Sequence, residues 1–342
     1  MTAQTLMQQE VAEIPAVAAR FLQDAQPALH RTAAALRALD PGLIATVARG
    51  SSDHAATYLK YAIELTAGIP VASVGPSIAS IYHRQLRLAG AACIGISQSG
   101  RSPDIVEMMH SAGAGGALSI AITNFADAPM STASAHCLAL GAGAENSVAA
   151  TKTFVTSVLA GLALIAEWQQ DEALRRAVAG LPQAFADALT LDWSPLSARL
   201  SRASHLFVLG RGPGFAIANE AALKFKETCG LHAESYSAAE VLHGPAAIVA
   251  AGFPVLALGV EDAALPQLVT TAARLAAQGA HVFVTGAAVD GATQLPVVPN
   301  LHPLVAPLVM AVTFYAFVEQ LARRRGFDPD TPPHLRKVTE TV

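Results

Sequence analysis

The 342-residue sequence predicts an α/β protein built from two tandem copies of one domain, each a parallel sheet covered by helices on both faces. Three observations predict it. The first is an internal repeat at an offset of 162 residues. Arg49-Gly50 recurs as Arg211-Gly212, and the same offset pairs Ala56 with Ala218, Thr66 with Thr228, Gly68 with Gly230, Ser73 with Ser235, Gly90 with Gly252 and Thr123 with Thr285. The second is a shared rhythm of short apolar runs, about 4–8 residues each, separated by helical lengths. The third is composition. At 52% hydrophobic and 14% charged, the chain is neither disordered, collagenous nor a coiled coil.

The elements follow in order. Residues 1–38 read as a helical segment that packs on the core. In each half an apolar run then ends in Gly, LIATVARG in the first and HLFVLGRG in the second. Helical stretches follow at 53–66 and 215–228. Further runs pair IPVAS with LHAES, AACIGIS with FPVLALG, and LSIAIT with HVFVT. Residues 149–190 read as long helices joining the halves. The predicted domains are 39–170 and 171–326. Residues 327–342 form a polar, Pro-rich tail without core periodicity, which reads as a frayed end unless it folds over the site.

Several classes are excluded. Net charge is −4, and no basic block is longer than Arg323-Arg324-Arg325, so no nucleic-acid partner is expected. The best apolar stretch, 304–318, is 15 residues long and contains Pro307, so no membrane span is expected. The N-terminus lacks an export signal. Cys93, Cys137 and Cys229 lack metal or CxxC spacing, which fits a reduced cytoplasm, with Cys93 a small core residue. His54, His232 and His334 lack metal-ligand spacing, and no metal or cofactor is expected. The GxGxG at 210–214 is followed by Phe215, not the glycine a dinucleotide loop requires.

Ligands of such folds bind beyond the carboxyl ends of the strands, where RGSSDH and SQSGRSPD lie. Ser97, Gln98, Ser99 and Gly100 end a strand, and Ser102-Pro103 opens a helix. Hydroxyls, an amide and backbone N–H groups converge there on a helix N-terminus, which favours an anion. Ser51 and Ser52 add a second hydroxyl pair. Serine and glycine also populate ordinary strand-to-helix turns, and Ser102-Pro103 is an ordinary N-cap and N1 pair. Glu220, Lys224 and Glu227 share one helix face. That spacing fits a solvated ion pair, or a lysine holding a glutamate ionised to take a proton. His243, before Gly244-Pro245, can move protons near neutrality or simply support a turn. Lys337 is an amine nucleophile only if the tail reaches the site.

Seven motifs in order then carry a resemblance to the double-SIS (sugar isomerase) family of sugar-phosphate enzymes. They are Arg49-Gly50-Ser51-Ser52; Ser97-Gln98-Ser99-Gly100-Arg101-Ser102; Glu145-Asn146-Ser147-Val148-Ala149-Ala150-Thr151-Lys152; Glu220-Ala221-Ala222-Leu223-Lys224-Phe225-Lys226-Glu227; His232-Ala233-Glu234-Ser235-Tyr236; His243-Gly244-Pro245; and the stretch from Leu335 to the end. The chain is similar to the isomerase half of glucosamine-6-phosphate synthases. Its motifs RGSSDH, SQSGRSPD and PPHLRKVTET look like those of stand-alone SIS-type glucosamine-6-phosphate deaminases.

The resemblance implies two tandem SIS domains with a C-terminal active-site tail. Ser51, Ser52, Ser97, Gln98, Ser99, Ser102 and Val148 would bind a small phosphorylated sugar. Glu227 would move a proton between C1 and C2, supported by Glu220 and Lys224. His243 would open the sugar ring from across a homodimer interface, and Lys337 would form a Schiff base or close the site as a charge. Departures are Arg49 in place of Cys, Arg101 of Glu, Ser102 of Thr and Ala150 of Ser. Thr2 stands where a glutaminase would carry its Cys, so no glutaminase is expected. The implied activity is glucosamine-6-phosphate deamination. The alternatives are a related isomerase, deglycase or aminotransferase, or a non-catalytic sugar-phosphate sensor.

Overall fold

The computed structural model describes residues 4–337. Three helices open the chain: α1 (Leu6–Ala12), α2 (Ile14–Asp24) and α3 (Gln26–Leu39). The first sheet follows, with β1 (Ile44–Val47), α4 (Ser51–Ala67), β2 (Val71–Ser73), α5 (Ser77–Ser80), β3 (Ala92–Ser97), α6 (Pro103–Ala114), β4 (Leu118–Thr123), α7 (Pro129–Thr132) and β5 (His136–Ala139). Helices α8 (Lys152–Gln169), α9 (Glu172–Ala179), α10 (Leu181–Ala188) and α11 (Ser194–Leu200) come next. The second sheet is built from β6 (His205–Gly210), α12 (Pro213–Cys229), β7 (His232–Ser237), β8 (Pro254–Ala257), α13 (Leu265–Ala277), β9 (His281–Val284) and β10 (Thr293–Gln294), and α14 (Ala306–Arg324) ends the helices. The chain forms two compact units. One comprises 14–145, 152–182 and the chain from 336. The other comprises residues up to 13, 146–151 and 183–335.

Every strand pairing is parallel. The orders, β2-β1-β3-β4-β5 and β10-β9-β8-β6-β7, are the same arrangement read from opposite ends. At the offset of 162, α4 maps onto α12 end to end. The N-caps Gly50 and Gly212 share one backbone conformation, with φ of 57° and 56°. Only glycine takes that conformation without strain, and it turns each strand sharply into its helix. The helices therefore begin at Ser51 and Pro213, two residues earlier than hydropathy indicates.

Both faces of a parallel sheet are covered, so its central strands are largely apolar: β1 and β3 are buried at every residue. One face of the first sheet packs Ala45, Val47, Cys93 and Ala121 against Ile105, Met108 and Met109 of α6. Burial pushes the Cys93 thiol up to about 12, so it is an inert core group. Edge strands β5 and β10 escape a hydropathy reading. Both residues of β10 are exposed, and β5 has one fully buried residue. Helices α8, α9 and α10 fall within 149–190, but only α8 is long, and α11 lies beyond that range. Among the described residues no helix is long and apolar enough to cross a membrane.

In the second-sheet unit, two carboxylates pin the segment around Val148. Glu10, 4% exposed, accepts hydrogen bonds from the Ser147 hydroxyl, the Asn146 amide and, at 3.2 Å, the Ser147 amide. Asp330 accepts from the first amides of α1, Leu6 at 2.7 Å and Met7 at 2.8 Å. Its carbonyl accepts the Val148 amide at 3.2 Å. Glu10→Ala leaves these donors unsatisfied and should cost about 2–4 kcal/mol by urea denaturation, against under about 1 kcal/mol for the exposed Glu13→Ala.

Candidate functional site

In the first-sheet unit, β1 and β3 are neighbours, so the turns that follow them lie side by side. Ser51 and Ser52 form the first turn of α4. The turn after β3 is held from within. The Gly100 amide donates to Ser97 Oγ at 3.2 Å, and the Arg101 amide to Ser99 Oγ at 3.2 Å. The Gln98 carbonyl accepts from Thr123 Oγ1 and the Asn124 amide. Gly100 has φ +61°, and a Cβ there would lie 2.6 Å from both Ala128 Cβ and Thr123 Oγ1, so no other residue fits. Ser102 stands at the N-cap of α6 without a side-chain capping bond, and Pro103 follows at N1. Ser52, Gln98 and Ser102 are half-buried. Among the described residues their side chains have no hydrogen-bond partner. Polar groups so placed have hydrogen-bonding capacity open to water or a ligand.

The second sheet shows what such a turn looks like when it is closed. After β8, Glu261 and Asp262 stand where the first half has Ser99 and Gly100. Asp262 Oδ1 accepts the amides of Ala264 at 2.9 Å and Leu265 at 3.1 Å. The start of α13 thus carries its own carboxylate, and a phosphate would meet like charge. The two copies of the repeat therefore differ in charge at this turn.

In the second-sheet unit, Glu220, Lys224 and Glu227 meet on α12. The solvated ion-pair reading fails there, since Lys224 is 0% and Glu220 1% exposed. Lys224 Nζ lies 2.5 Å from Glu227 Oε2 and 3.4 Å from Glu220 Oε1. Tyr315 of α14 donates to Glu220 Oε1 at 2.8 Å. Burial works against the ammonium's charge, but the two carboxylates outweigh it and raise the Lys224 pKa above its ordinary value. The Glu227 side chain remains 19% exposed, so it faces outward from an otherwise buried cluster. The chemistry available is proton transfer by a partly exposed carboxylate in contact with a buried cation.

Lys337 is anchored. Its Nζ lies 3.1 Å from Oε2 of Glu145, whose side chain is fully buried. Glu145 also accepts the Thr153 amide at 3.0 Å and its hydroxyl at 2.6 Å, in the first turn of α8. The part of the terminal motif beyond Lys337 lies outside the described residues. Val148 is half-buried. His243 ends a short 3-10 turn (Glu240–His243) and is exposed, and no described hydrogen bond joins it to the Glu227 cluster. Among the described residues no group of three or more His, Cys, Asp or Glu is placed to hold a metal ion.

Sequence reasoning passed over three contributors. Tyr315 sits on a distant helix with no motif. Glu145 lies inside a recognised motif without an assigned role. Asp104 of SQSGRSPD is fully buried and pairs with Arg49. A charged residue within an otherwise apolar helix start was the available signal for the last.

The SIS domain family model matches residues 40–167 and 199–321. The isomerizing glutamine–fructose-6-phosphate aminotransferase of Symbiobacterium thermophilum is 32% identical over 327 residues, covering 90% of this chain and 52% of the relative. The chain spans about half the length of the curated relatives it matches. Among solved structures, a candidate phosphosugar isomerase from Silicibacter pomeroyi DSS-3 is 52% identical with a TM-score of 0.93, covering 96% of this chain and all of that one. The C-terminal domain of glucosamine-fructose-6-phosphate aminotransferase from Francisella tularensis is 25% identical with a TM-score of 0.84, covering 97% and 99%. Glucosamine-6-phosphate deaminase from Thermotoga maritima shares the fold, with a TM-score of 0.79 at 21% identity over 98% and 100% of the chains.

Removing the cation from the buried cluster leaves two carboxylates without compensation. Lys224→Met should cost about 3–5 kcal/mol in denaturant unfolding. Because the folded pKa of Lys224 is raised, its stabilisation is fully present below the unfolded value of about 10.4 and is lost only as pH rises through the folded value. The stability gap between the protein and Lys224→Met should therefore be flat from about pH 6 to 10 and shrink only above that. A gap that closes already near neutrality would contradict the assignment.

Proposed function

The chain belongs to the SIS-domain family, and from that premise we propose that it is a glucosamine-6-phosphate deaminase, converting glucosamine 6-phosphate and water to fructose 6-phosphate and ammonia. The observation that carries the reading is the Glu220–Lys224–Glu227 cluster, in which a buried ammonium lies against a partly exposed carboxylate. The unpartnered side chains of Ser52, Gln98 and Ser102, beside Ser51, Ser97 and Ser99, support phosphate recognition. Val148 lines the sugar.

In this mechanism the phosphate docks on the first sheet's turns. His243 of the partner subunit of a homodimer opens the ring, a role supported by its exposure in the single chain. Glu227 removes the C2 proton, and the electron pair moves to form the C1–C2 enolamine. Return of the proton to C1 gives the C2 imine. Water adds to that imine, and ammonia departs to leave the ketone. Lys337 serves as a charge that closes the site, because it is held by Glu145 as an ion pair.

A second reading is aldose–ketose isomerisation of a phosphosugar without loss of nitrogen. The 52% identical Silicibacter pomeroyi protein favours it. Both readings share the proton transfer and differ in whether an amine leaves.

Positioned proton transfer contributes about 10²–10⁴-fold. Glu227→Gln should therefore lower kcat on glucosamine 6-phosphate by about 10²-fold or more, with Kd for the sugar phosphate within about threefold of the parent. A variant with full turnover would remove Glu227 from the mechanism.

A further inference from the structure

The position where the family pattern has cysteine holds Arg49, and its contacts give it a specific place. Arg49 Nε and Nη2 both lie 2.6 Å from Asp104 Oδ2. Asp104 is fully buried, at the second position of α6, beside the turn with the unpartnered side chains. Its Oδ1 accepts its own neighbour's amide, from Ile105, at 2.9 Å. The Arg49 side chain is 47% exposed, so its guanidinium is seated on one edge and open on the other. Among the described residues Nη1 has no partner.

A buried carboxylate in the first turn of a helix opposes any phosphate that docks at that helix. A second carboxylate lies close by: burial raises the Asp53 pKa, while His54 and Arg49 pull it down. The repeat supplies an internal control. Arg211, at the equivalent position of the second half, spends its Nη1 on Ser237 Oγ at 2.9 Å. That half has Glu261 and Asp262 in the corresponding turn.

We propose that Arg49 is a phosphate-binding residue of this site, which cancels the charge of Asp104 and offers its outward N–H groups to the phosphate of the substrate. The planar fork suits this double task, one edge on a carboxylate and the other on a phosphate. The proposal rests on the phosphate reading of the Ser97–Ser102 turn given above. It adds a substrate contact at the position where the synthase pattern has cysteine, and it explains how a helix start bearing a buried Asp accepts a dianion.

The test uses the full chain with inorganic phosphate and glucosamine 6-phosphate as probes in titration calorimetry, alongside steady-state kinetics. The variants are Arg49→Gln, Asp104→Asn, the double variant, and Ser99→Ala as a control on the turn. Arg49→Gln should weaken both ligands about tenfold or more and raise KM to match, with kcat within about threefold. The double variant should recover at least half of that loss on a logarithmic scale, because the buried charge has gone with its partner. Ser99→Ala should weaken phosphate independently.

Arg49→Gln that binds phosphate like the parent, while Ser99→Ala loses it, overturns the role of Arg49 and leaves the turn intact. A double variant as weak as Arg49→Gln overturns the neutralisation. Loss of kcat and melting temperature together, with KM unchanged, reduces Arg49 to a structural tie and overturns the proposal. Failure of the parent to bind either probe overturns the phosphate reading itself.

Discussion

A parallel strand that runs into a helix leaves the helix's first amides pointing beyond the edge of the sheet, and both units of this chain are arranged around that constraint. Those donors need an acceptor. In the second unit Asp262 supplies it for α13. In the first unit Ser102 caps by position alone, and side chains with spare donors gather around it. The repeat yields two equivalent edges that are finished differently: Asp262 accepts the amides before α13, whereas Asp104 in the first turn of α6 is paired with Arg49.

Buried charge is the second organising theme. Glu10, Asp104, Glu145, Glu220 and Glu319 are all nearly or fully buried, and each is met by donors. Glu10 fixes Asn146 and Ser147, and Glu145 fixes the start of α8 and Lys337. Glu319 takes Thr5 Oγ1 at 2.8 Å and Arg323 at 2.7 Å. Glu10, Glu145 and Glu319 tie irregular segments to helices, whereas Glu220 joins α12 to α14 through Tyr315. Such ties cost desolvation and stabilise little by themselves, but they fix geometry, because breaking one leaves a bare charge. The short segments 146–151 and 326–337 lack apolar periodicity, and these acids are what place them.

Much of this was legible from the sequence. The repeat at 162 residues marks corresponding strands and helices because two copies of one fold must place glycine at the same turns; Gly50 and Gly212 show it. The serine turn and the glutamate–lysine face stand out because chemistry requires those residue types at fixed spacing. The rest was hidden for identifiable reasons. Strands β5 and β10 sit at sheet edges and need little hydrophobicity. Burial of Lys224 cannot be read from an i, i+4 pattern, which describes a solvated pair equally well. The Arg49–Asp104 and Tyr315–Glu220 pairs join residues 55 and 95 positions apart, and only the fold brings them together.

The central claim is that the carboxylate of Glu227 drives loss of an amine from a phosphosugar. The most direct measurement supplies glucosamine 6-phosphate to the full chain, without glutamine, and follows ammonia and fructose 6-phosphate together. The account predicts release of both in equal amounts. Ketose formation from another sugar phosphate, with no ammonia released from glucosamine 6-phosphate, would contradict it and assign the site to isomerisation.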